Sequence, residues 1–191
     1  TLLGWPEVGQ ADFLAPEGYT VAYRTNAVTR HGEHGNALLS RWPIGDVGHH
    51  DVSDHRFEQR GLLHVPVLWQ GAELHVVVAH LGLVHASRVR QVERLCEFIR
   101  SEVPPDALLL VAGDFNDWGE RLDAPLMSNG LERARAGSLF GQRTFPSRLP
   151  IFALDRVYVR GLRCLSATVP RGPMWARMSD HLPLLVELQI D

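Results

Sequence analysis

Cysteine is scarce in this chain of 191 residues, which contains only two, Cys96 and Cys164. We interpret both as reduced structural residues, so the fold does not rely on a disulfide framework. Long apolar runs are missing too, since none approaches the ~20 residues that a membrane-spanning helix requires. Because no secretory leader is visible, we expect a cytoplasmic protein that has no membrane span.

An excess of charge of either sign is also lacking. The formal net charge is −3 and the isoelectric point is about 6.3, which argues against nucleic-acid binding through a broadly basic face. A local basic patch is compatible with these values.

Hydrophobic residues make up 45% of the chain and charged residues 21%. This balance, at this length, predicts a single globular domain over residues 1–191.

Several familiar catalytic motifs are absent as well. The chain has no G-x-S-x-G nucleophile elbow, no Walker glycine loop and no H-E-x-x-H zinc motif. The chemistry must therefore be sought in other polar residues, and the most suggestive of these stand at the ends of apolar runs.

The most informative stretch is residues 107–118, with the sequence ALLLVAGDFNDW. Its apolar start predicts a strand buried on both faces, although periodicity alone leaves a buried helix open. Residues two apart in an extended chain point the same way, so Asp114 and Asn116 should project together from the strand's carboxyl end. Carboxylate and amide oxygens are hard ligands that suit Mg²⁺. For this motif alone, a polar turn that closes a core strand is the competing interpretation.

Three other segments favour a site over a turn. The run VVVAHLG predicts a second buried strand that ends near His80, and SDHLPLLVEL places Asp180 and His181 before a third apolar run. In LDRVYV, Asp155 stands in an apolar, β-prone context, where a charge needs a partner or a metal. Four such coincidences in one chain are better explained by one shared site than by accident.

The clearest predicted helix lies between the strand that ends near His80 and the strand that ends at Asp114. Residues 87–103 carry apolar side chains at helical spacing, Ser87 is a candidate N-cap, and a Pro-Pro pair follows. A strand, a helix and a strand form a β-α-β unit with parallel strands. His80 and Asp114 are therefore expected at the same edge of one sheet. The whole chain is predicted to be α/β, with two sheets packed face to face and helices outside.

Taken in order, the motifs resemble the endonuclease/exonuclease/phosphatase superfamily, whose fold is DNase I-like. The matching segments are GNALLSRWPI, VVVAHLGL, GDFND, LDRVYV and SDHLPLLVEL, and they span most of the chain. The resemblance implies an α/β (α+β) four-layer sandwich, in which two mixed β-sheets pack together between flanking helices. It also implies a Mg²⁺-dependent phosphoester hydrolase, of the phosphodiesterase, endonuclease or phosphatase class, in which Mn²⁺ can substitute for Mg²⁺.

The resemblance assigns roles to the polar residues. Its catalytic residues would be His80, Asp114, Asn116, Asp155 and His181, and its metal ligands Asp114, Asn116 and Asp180. Asp155 would contact and orient His181, while His80 would serve as phosphate ligand or general acid. Whether Asp114 or His181 removes the proton from water stays open. We also predict that repulsion between Asp114 and Asp180 raises the pKa of at least one of them.

One part of the family pattern has no match. Family members begin with a strand that carries an Asn, then a helix, then a strand that ends in a metal-binding Glu. We therefore expect Thr1 to follow that segment, so that this chain is N-terminally truncated and binds Mg²⁺ weakly on its own. A second chain is expected to cover the exposed sheet edge as a dimer. The alternative function is a catalytically inactive domain that serves binding or assembly.

Two loops are candidates for selecting the substrate. One covers residues 140–149, and the other covers residues 171–178, with Arg171, Trp175 and Arg177 just before the SDH motif. Arginines can grip a phosphate and a tryptophan can stack on a base or sugar, but a plain surface loop explains them equally well. The resemblance implies a phosphoester substrate and leaves it open among a nucleic acid, a nucleotide and a phospholipid headgroup, because fold does not fix substrate.

Overall fold

The computed structural model describes residues 9–30, 32–135 and 142–191. Its strands are β1 Thr20–Thr29, β2 Gly32–Ser40, β3 Gly48–Asp51, β4 Gly61–Trp69, β5 Ala72–His80, β6 Leu108–Asp114, β7 Glu132–Arg133, β8 Asp155–Arg160, β9 Leu162–Thr168 and β10 Leu185–Ile190. Its helices are α1 Gln10–Leu14, α2 His85–Glu102, α3 Asp123–Met127 and α4 Trp175–Met178. The strands form one large sheet and two ribbons.

The large sheet has six strands in the order β3-β4-β5-β6-β8-β7. β5 and β6 are parallel with α2 between them in sequence, and every other neighbouring pair in this sheet is antiparallel. The predicted β-α-β unit is therefore present. Because parallel strands end at the same edge, His80 and Asp114 are register partners, and antiparallel pairing sets Asp155 opposite Asp114.

Alternation along the central strands divides the apolar core into two clusters. In β6, the side chains of Leu109 and Val111 are fully buried in the cluster that includes α2 and α3. Their neighbours Leu108 and Leu110 join the cluster on the other face of the sheet. Side chains along a strand alternate between faces, so a strand covered on both sides must be apolar throughout, as β6 is.

Two antiparallel ribbons, β1-β2 and β9-β10, supply the second layer of strands. Ala22 and Leu38 from the first ribbon, and Leu188 and Ile190 from the second, belong to the apolar cluster on that face of the sheet. The predicted packing of two strand layers is confirmed, with the difference that only the six-stranded sheet is mixed. The layer outside the ribbons is thin, since α1, which contacts β1, has five residues.

The start of α2 differs from the sequence prediction. The helix begins at His85, and its N-cap, Val84, makes no side-chain hydrogen bond to the helix end. Ser87 lies in the first turn, where its Oγ donates to Asp54 Oδ2 at 2.7 Å. The N-cap prediction for Ser87 was therefore wrong, because its hydroxyl binds a carboxylate from a distant loop. In the part of the chain that the structure describes, no helix is long and apolar enough to cross a bilayer.

Candidate active site

Three neighbouring strands carry polar side chains at one edge of the large sheet. His80 ends β5, Asp114 ends β6 and Asp155 begins β8, and the register places Asp114 beside both of the others. Gly113 permits this approach, because a Cβ at that position would overlap the carbonyl oxygen of Ala79. Its φ of 151° is also one that other residues rarely adopt. Pairing of the apolar strands thus brings the three polar residues together.

The shortest contact in this cluster joins His181 to Asp155. Asp155 Oδ2 lies 2.7 Å from His181 Nδ1, which is the contact that the family resemblance implies. The segment before His181 is anchored, since the backbone N–H of Ser147 donates to the carbonyl of Asp180 at 2.7 Å. The hydrogen bond to Asp155 raises the pKa of His181 above its ordinary value, because a carboxylate favours the imidazolium form.

Asp114 lies between the two histidines of the cluster. Its Oδ2 is 3.5 Å from His80 Nε2 and 4.0 Å from His181 Nε2. Burial raises the pKa of Asp114, and the charge of Asp155 adds to this effect. The sequence-based prediction assigns the repulsion to Asp180, whereas the contributing carboxylate is Asp155. Burial also lowers the pKa of His80, which favours its neutral imidazole.

Asn116 is tied to the same strand end through its backbone and its side chain. Its backbone N–H donates to Asp114 Oδ1 at 2.8 Å, and its Nδ2 donates to the carbonyl of Leu81 at 2.9 Å. The residue is buried and has a φ of 47°, a left-handed conformation that Asn tolerates better than most residues. These bonds orient the Asp114 carboxylate and leave the Asn116 amide oxygen as the ligand atom it can offer.

Asp114, Asp155 and His181 form a group whose donor atoms fit a divalent cation. Each residue offers one ligand atom, and these atoms lie within 4.8 Å of one another. Two carboxylates beside an imidazole suit several divalent ions, with the oxygens favouring hard ions such as Mg²⁺ and Mn²⁺. Burial makes the charge of Asp114 costly, and a cation would compensate it. This group differs from the predicted ligand set, since it includes Asp155 and His181, which the prediction does not name as ligands, and does not include Asp180.

Comparison with known proteins shows what this arrangement is related to. The endonuclease/exonuclease/phosphatase family matches residues 3–181 of the chain. This chain belongs to that family. The resemblance drawn from five short motifs is therefore confirmed, and with it the broad class of hydrolases that act on phosphoester bonds.

Relatives and solved structures agree with membership of the endonuclease/exonuclease/phosphatase family. The chain is 38% identical over 192 residues to YbhP, an uncharacterized protein of Escherichia coli K12, covering 97% of this chain and 75% of YbhP. The family structure from Bacteroides vulgatus matches with a TM-score of 0.74 at 18% identity, over 91% of this chain and 77% of that one. D. rerio TDP2, solved with a single-strand DNA product, matches with a TM-score of 0.67 at 17% identity, over 90% and 77%. The structural matches show the predicted DNase I-like fold.

The other residues predicted from the endonuclease/exonuclease/phosphatase resemblance lie beside the cluster. Asp180 is exposed and does not join the metal-type group found among the described residues. Arg171 and Arg177 line a cavity of about 550 Å³ that also includes the residue after His181. Trp175 begins α4 and is not among the residues that line this cavity. Their roles in metal or substrate binding stay predictions.

Sequence reasoning missed a buried ion pair next to the family's GDFN motif. Arg156 is fully buried, and its guanidinium donates to Asp117 Oδ2 at 2.9 Å and to Asp123 Oδ1 at 3.0 Å. From the sequence alone, Asp117 is an ordinary turn residue. The signal that could have found the pair is the arginine inside the apolar strand LDRVYV, because a buried arginine needs a carboxylate partner.

An aromatic wall beside His181 was missed as well. The Phe145 ring lies 4.8 Å from the His181 ring, and Trp118 lies 5.5 Å from Phe145 and 4.7 Å from Phe152, measured between centroids. Phe145 belongs to the predicted loop 140–149, whose first two residues lie outside the described residues. The wall places apolar surface next to the histidine, where an organic group of a substrate could pack.

Proposed function

We propose that this chain is a metal-dependent phosphodiesterase in which Asp155 and His181 form the proton-transfer pair. The observation that carries the proposal is the 2.7 Å contact between Asp155 Oδ2 and His181 Nδ1, with Asp114 Oδ2 beside the Nε2 atoms of both His181 and His80. A carboxylate bound to Nδ1 fixes the imidazole tautomer and leaves Nε2 for the reacting groups. The aromatic wall beside His181 supports a diester, which carries an organic group on either side of its phosphorus.

Each residue has a distinct part in the proposed reaction. His181 accepts the proton of the attacking water at Nε2, and its raised pKa favours it over Asp114 as the base. His80, whose pKa is lowered by burial, stays neutral and donates a hydrogen bond to a phosphoryl oxygen. Asp114 orients both imidazoles, and the backbone N–H of Asn116 holds Asp114 in place.

A divalent cation fits the carboxylates of Asp114 and Asp155, and we propose Mg²⁺, with Mn²⁺ as a substitute. When bound, such an ion neutralises charge on the phosphoryl group and stabilises the leaving oxygen. The amide oxygen of Asn116 and the carboxylate of Asp180 remain in the proposed ligand set. The two histidines handle protons and hydrogen bonds, so the proposal divides the chemistry between hard oxygen ligands and imidazoles.

Hydrolysis assays on the full-length natural protein test this proposal. We expect hydrolysis of bis-p-nitrophenyl phosphate with Mg²⁺ or Mn²⁺, a much lower rate on the monoester p-nitrophenyl phosphate, and none in EDTA. Asp155→Asn should lower kcat by about 10²–10⁴-fold. It should also move the acidic limb of the pH profile to lower pH, because the bond that raises the pKa of His181 is weakened.

The matched control is Asp106→Asn, which changes an exposed carboxylate ahead of β6, at the opposite end of the strand from Asp114. It should keep the wild-type kcat and pH profile. Equal kcat in the Asp155 and Asp106 variants would overturn the proton-transfer pair. Faster hydrolysis of the monoester would make the protein a phosphatase. No turnover of either ester with any metal would favour the inactive binding domain.

Two predictions about organisation also remain proposals. We propose that residues 1–191 form one domain, which limited proteolysis of the natural protein checks. We also propose that a second copy of the chain pairs along a ribbon edge, because each ribbon strand has a single partner among the described residues. Light scattering that gives the monomer mass at all concentrations would contradict the dimer.

A further inference from the structure

The loops at the edge that carries Asp114 expose many large apolar side chains, and we call this set the rim. Its members are Phe57 before β4, Leu83 and Val84 after β5, Trp118 after β6, Leu149 and Ile151 before β8, and Met174 and Met178 before β10. Their exposure runs from 43% for Trp118 to 83% for Phe57. Single exposed apolar residues are ordinary, but a set that surrounds one site indicates a binding surface.

Two loops of the rim carry positive charge and no negative charge. Residues 142–151 and residues 171–178 contain no Asp or Glu. Their arginines are Arg143, Arg148, Arg171 and Arg177. The exposed carboxylate of Asp180 follows the second loop, and the four arginines outnumber it. In a chain whose net charge is −3, this is a local excess of positive charge, and its partner is expected to be anionic.

Three of these arginines share one cavity. Arg148, Arg171 and Arg177 line a space of about 550 Å³ together with Leu182, the residue that follows His181. Within the described part of the chain, none of the three guanidinium groups makes a hydrogen bond or an ion pair. Their charges are therefore not neutralised by the protein, and a phosphate group is the ligand that guanidinium groups match best.

The mixture of arginines and aliphatic side chains selects one kind of partner. Nucleic acid would satisfy the arginines and could stack on Phe57 and Trp118, but the other six of the eight rim side chains have no ring to stack and gain nothing from a phosphate backbone. A second copy of the chain would set like charges against each other. A bilayer with anionic phospholipid satisfies both features, because headgroup phosphates pair with arginines while apolar side chains enter the interface.

We propose that the rim docks this domain on the surface of an anionic phospholipid bilayer. Docking rests on the rim and the arginine cavity, and it does not depend on the proposed function. In the docked state, the arginine cavity holds a headgroup phosphate and the aliphatic side chains enter the interface, so His181 lies at the lipid surface.

Vesicle cosedimentation of the full-length protein tests the role of charge without requiring turnover. The probes are vesicles of phosphatidylcholine alone and of phosphatidylcholine mixed with phosphatidylglycerol. We expect binding to the mixed vesicles that weakens as salt rises. Arg171→Gln combined with Arg177→Gln should lower the partition coefficient by about fivefold for each charge removed. The control is Arg41→Gln, at an exposed arginine that stacks on Trp42. Trp42 packs on Trp69, at the end of β4 opposite to His80, so this variant should bind as the wild type does.

The same vesicles test the apolar part of the rim. A triple variant with Leu149→Ser, Met174→Ser and Met178→Ser should lower the partition coefficient by about tenfold or more, because these side chains no longer enter the interface. The control Leu68→Ser changes a leucine of similar exposure at the end of β4 opposite to His80. Thermal melts of each variant establish that it is folded.

Three outcomes would overturn the docking proposal. They are no binding to mixed vesicles, equal binding of the rim variants and their controls, and binding to single-stranded oligonucleotide that outcompetes the vesicles. Hydrolysis of soluble bis-p-nitrophenyl phosphate by the wild type reports separately on the proposed function. Turnover of that diester without vesicle binding would refute docking alone, whereas vesicle binding without turnover would refute the enzyme and leave docking standing.

Discussion

Arg156→Met is the substitution that reveals most about how the site is held. Arg156 is fully buried on β8, and its guanidinium donates to the carboxylate of Asp117 at 2.9 Å, to the carbonyl of the same residue at 2.9 Å and to Asp123 at 3.0 Å. The Asp117 carboxylate in turn accepts the backbone N–H of Leu122 at 2.9 Å. These bonds fix the turn that follows Asp114, so the arginine positions the site without belonging to it.

The predicted loss in the free energy of unfolding depends on which groups lose a partner when Arg156 is replaced. Methionine is of similar length and apolar, so little space opens at the Arg156 position. Asp117, however, is 2% exposed and would lose its cation. Asp123 would keep Arg133 as a partner at 3.1 Å, so most of the cost falls on Asp117. Removing one member of a buried ion pair typically costs about 3–5 kcal/mol, out of about 5–15 kcal/mol for a whole domain.

Urea unfolding measures this loss directly. Arg163→Met is the matched control, because Arg163 is exposed on β9 with one contact to Gln189 at 3.0 Å, and it should change the free energy of unfolding by less than about 0.5 kcal/mol. Adding Asp117→Asn to Arg156→Met should recover at least about 1 kcal/mol, since no charge then remains buried. A loss below about 1 kcal/mol for Arg156→Met, or no recovery in the double variant, would refute the reasoning.

Two further predictions concern ions and protons. Millimolar Mg²⁺ should raise the melting temperature of the full-length protein by about 3–5 °C if it is present at tenfold its Kd, and Asp114→Asn should abolish the shift; an unchanged wild-type melt counts against metal binding. Burial lowers the pKa of His64 to about 4, so the folded state favours its neutral form. The contribution of His64 to the free energy of unfolding is intact above about pH 6.5, its ordinary pKa, and is lost as the pH falls toward 4. The loss is at most about 3 kcal/mol, and solvent screening makes it smaller. His64→Gln should flatten this part of the urea-derived stability curve, and an unchanged slope would refute the assignment.

The placement of His80 and Asp114 at one edge of the sheet was predictable from the sequence, because it depends on short-range patterns. Apolar runs of strand length, one helix of clear periodicity and the rule for parallel crossovers are enough to place His80 and Asp114 side by side. The contact of Asp155 with His181 came from the resemblance, which supplied a pairing between segments far apart in sequence. Patterns of spacing alone would not have joined these two residues.

The remaining features depend on contacts that no local pattern encodes. Asp117 and Asp114 are both turn carboxylates in the sequence, and only the position of Arg156 on the neighbouring strand makes one of them structural. Ser87 is not the N-cap of α2, because its hydroxyl donates a hydrogen bond to Asp54 in the loop before β4. In each case a long-range partner decides between two roles that the residue type allows.

The partner of each carboxylate at this edge also indicates which ones can serve a metal. Asp117 and Asp123 are matched by Arg156, whose charge is permanent, so their negative charge is already compensated. Asp114 and Asp155 are matched only by the imidazoles of His80 and His181 among the described residues. An imidazole is neutral for part of its range near pH 7 and then compensates nothing. The negative charges of Asp114 and Asp155 are therefore only partly compensated, and a divalent cation, or the protons transferred during hydrolysis, would compensate them. Arginine at either histidine position would compensate these charges permanently and would remove an imidazole that the proposed reaction uses.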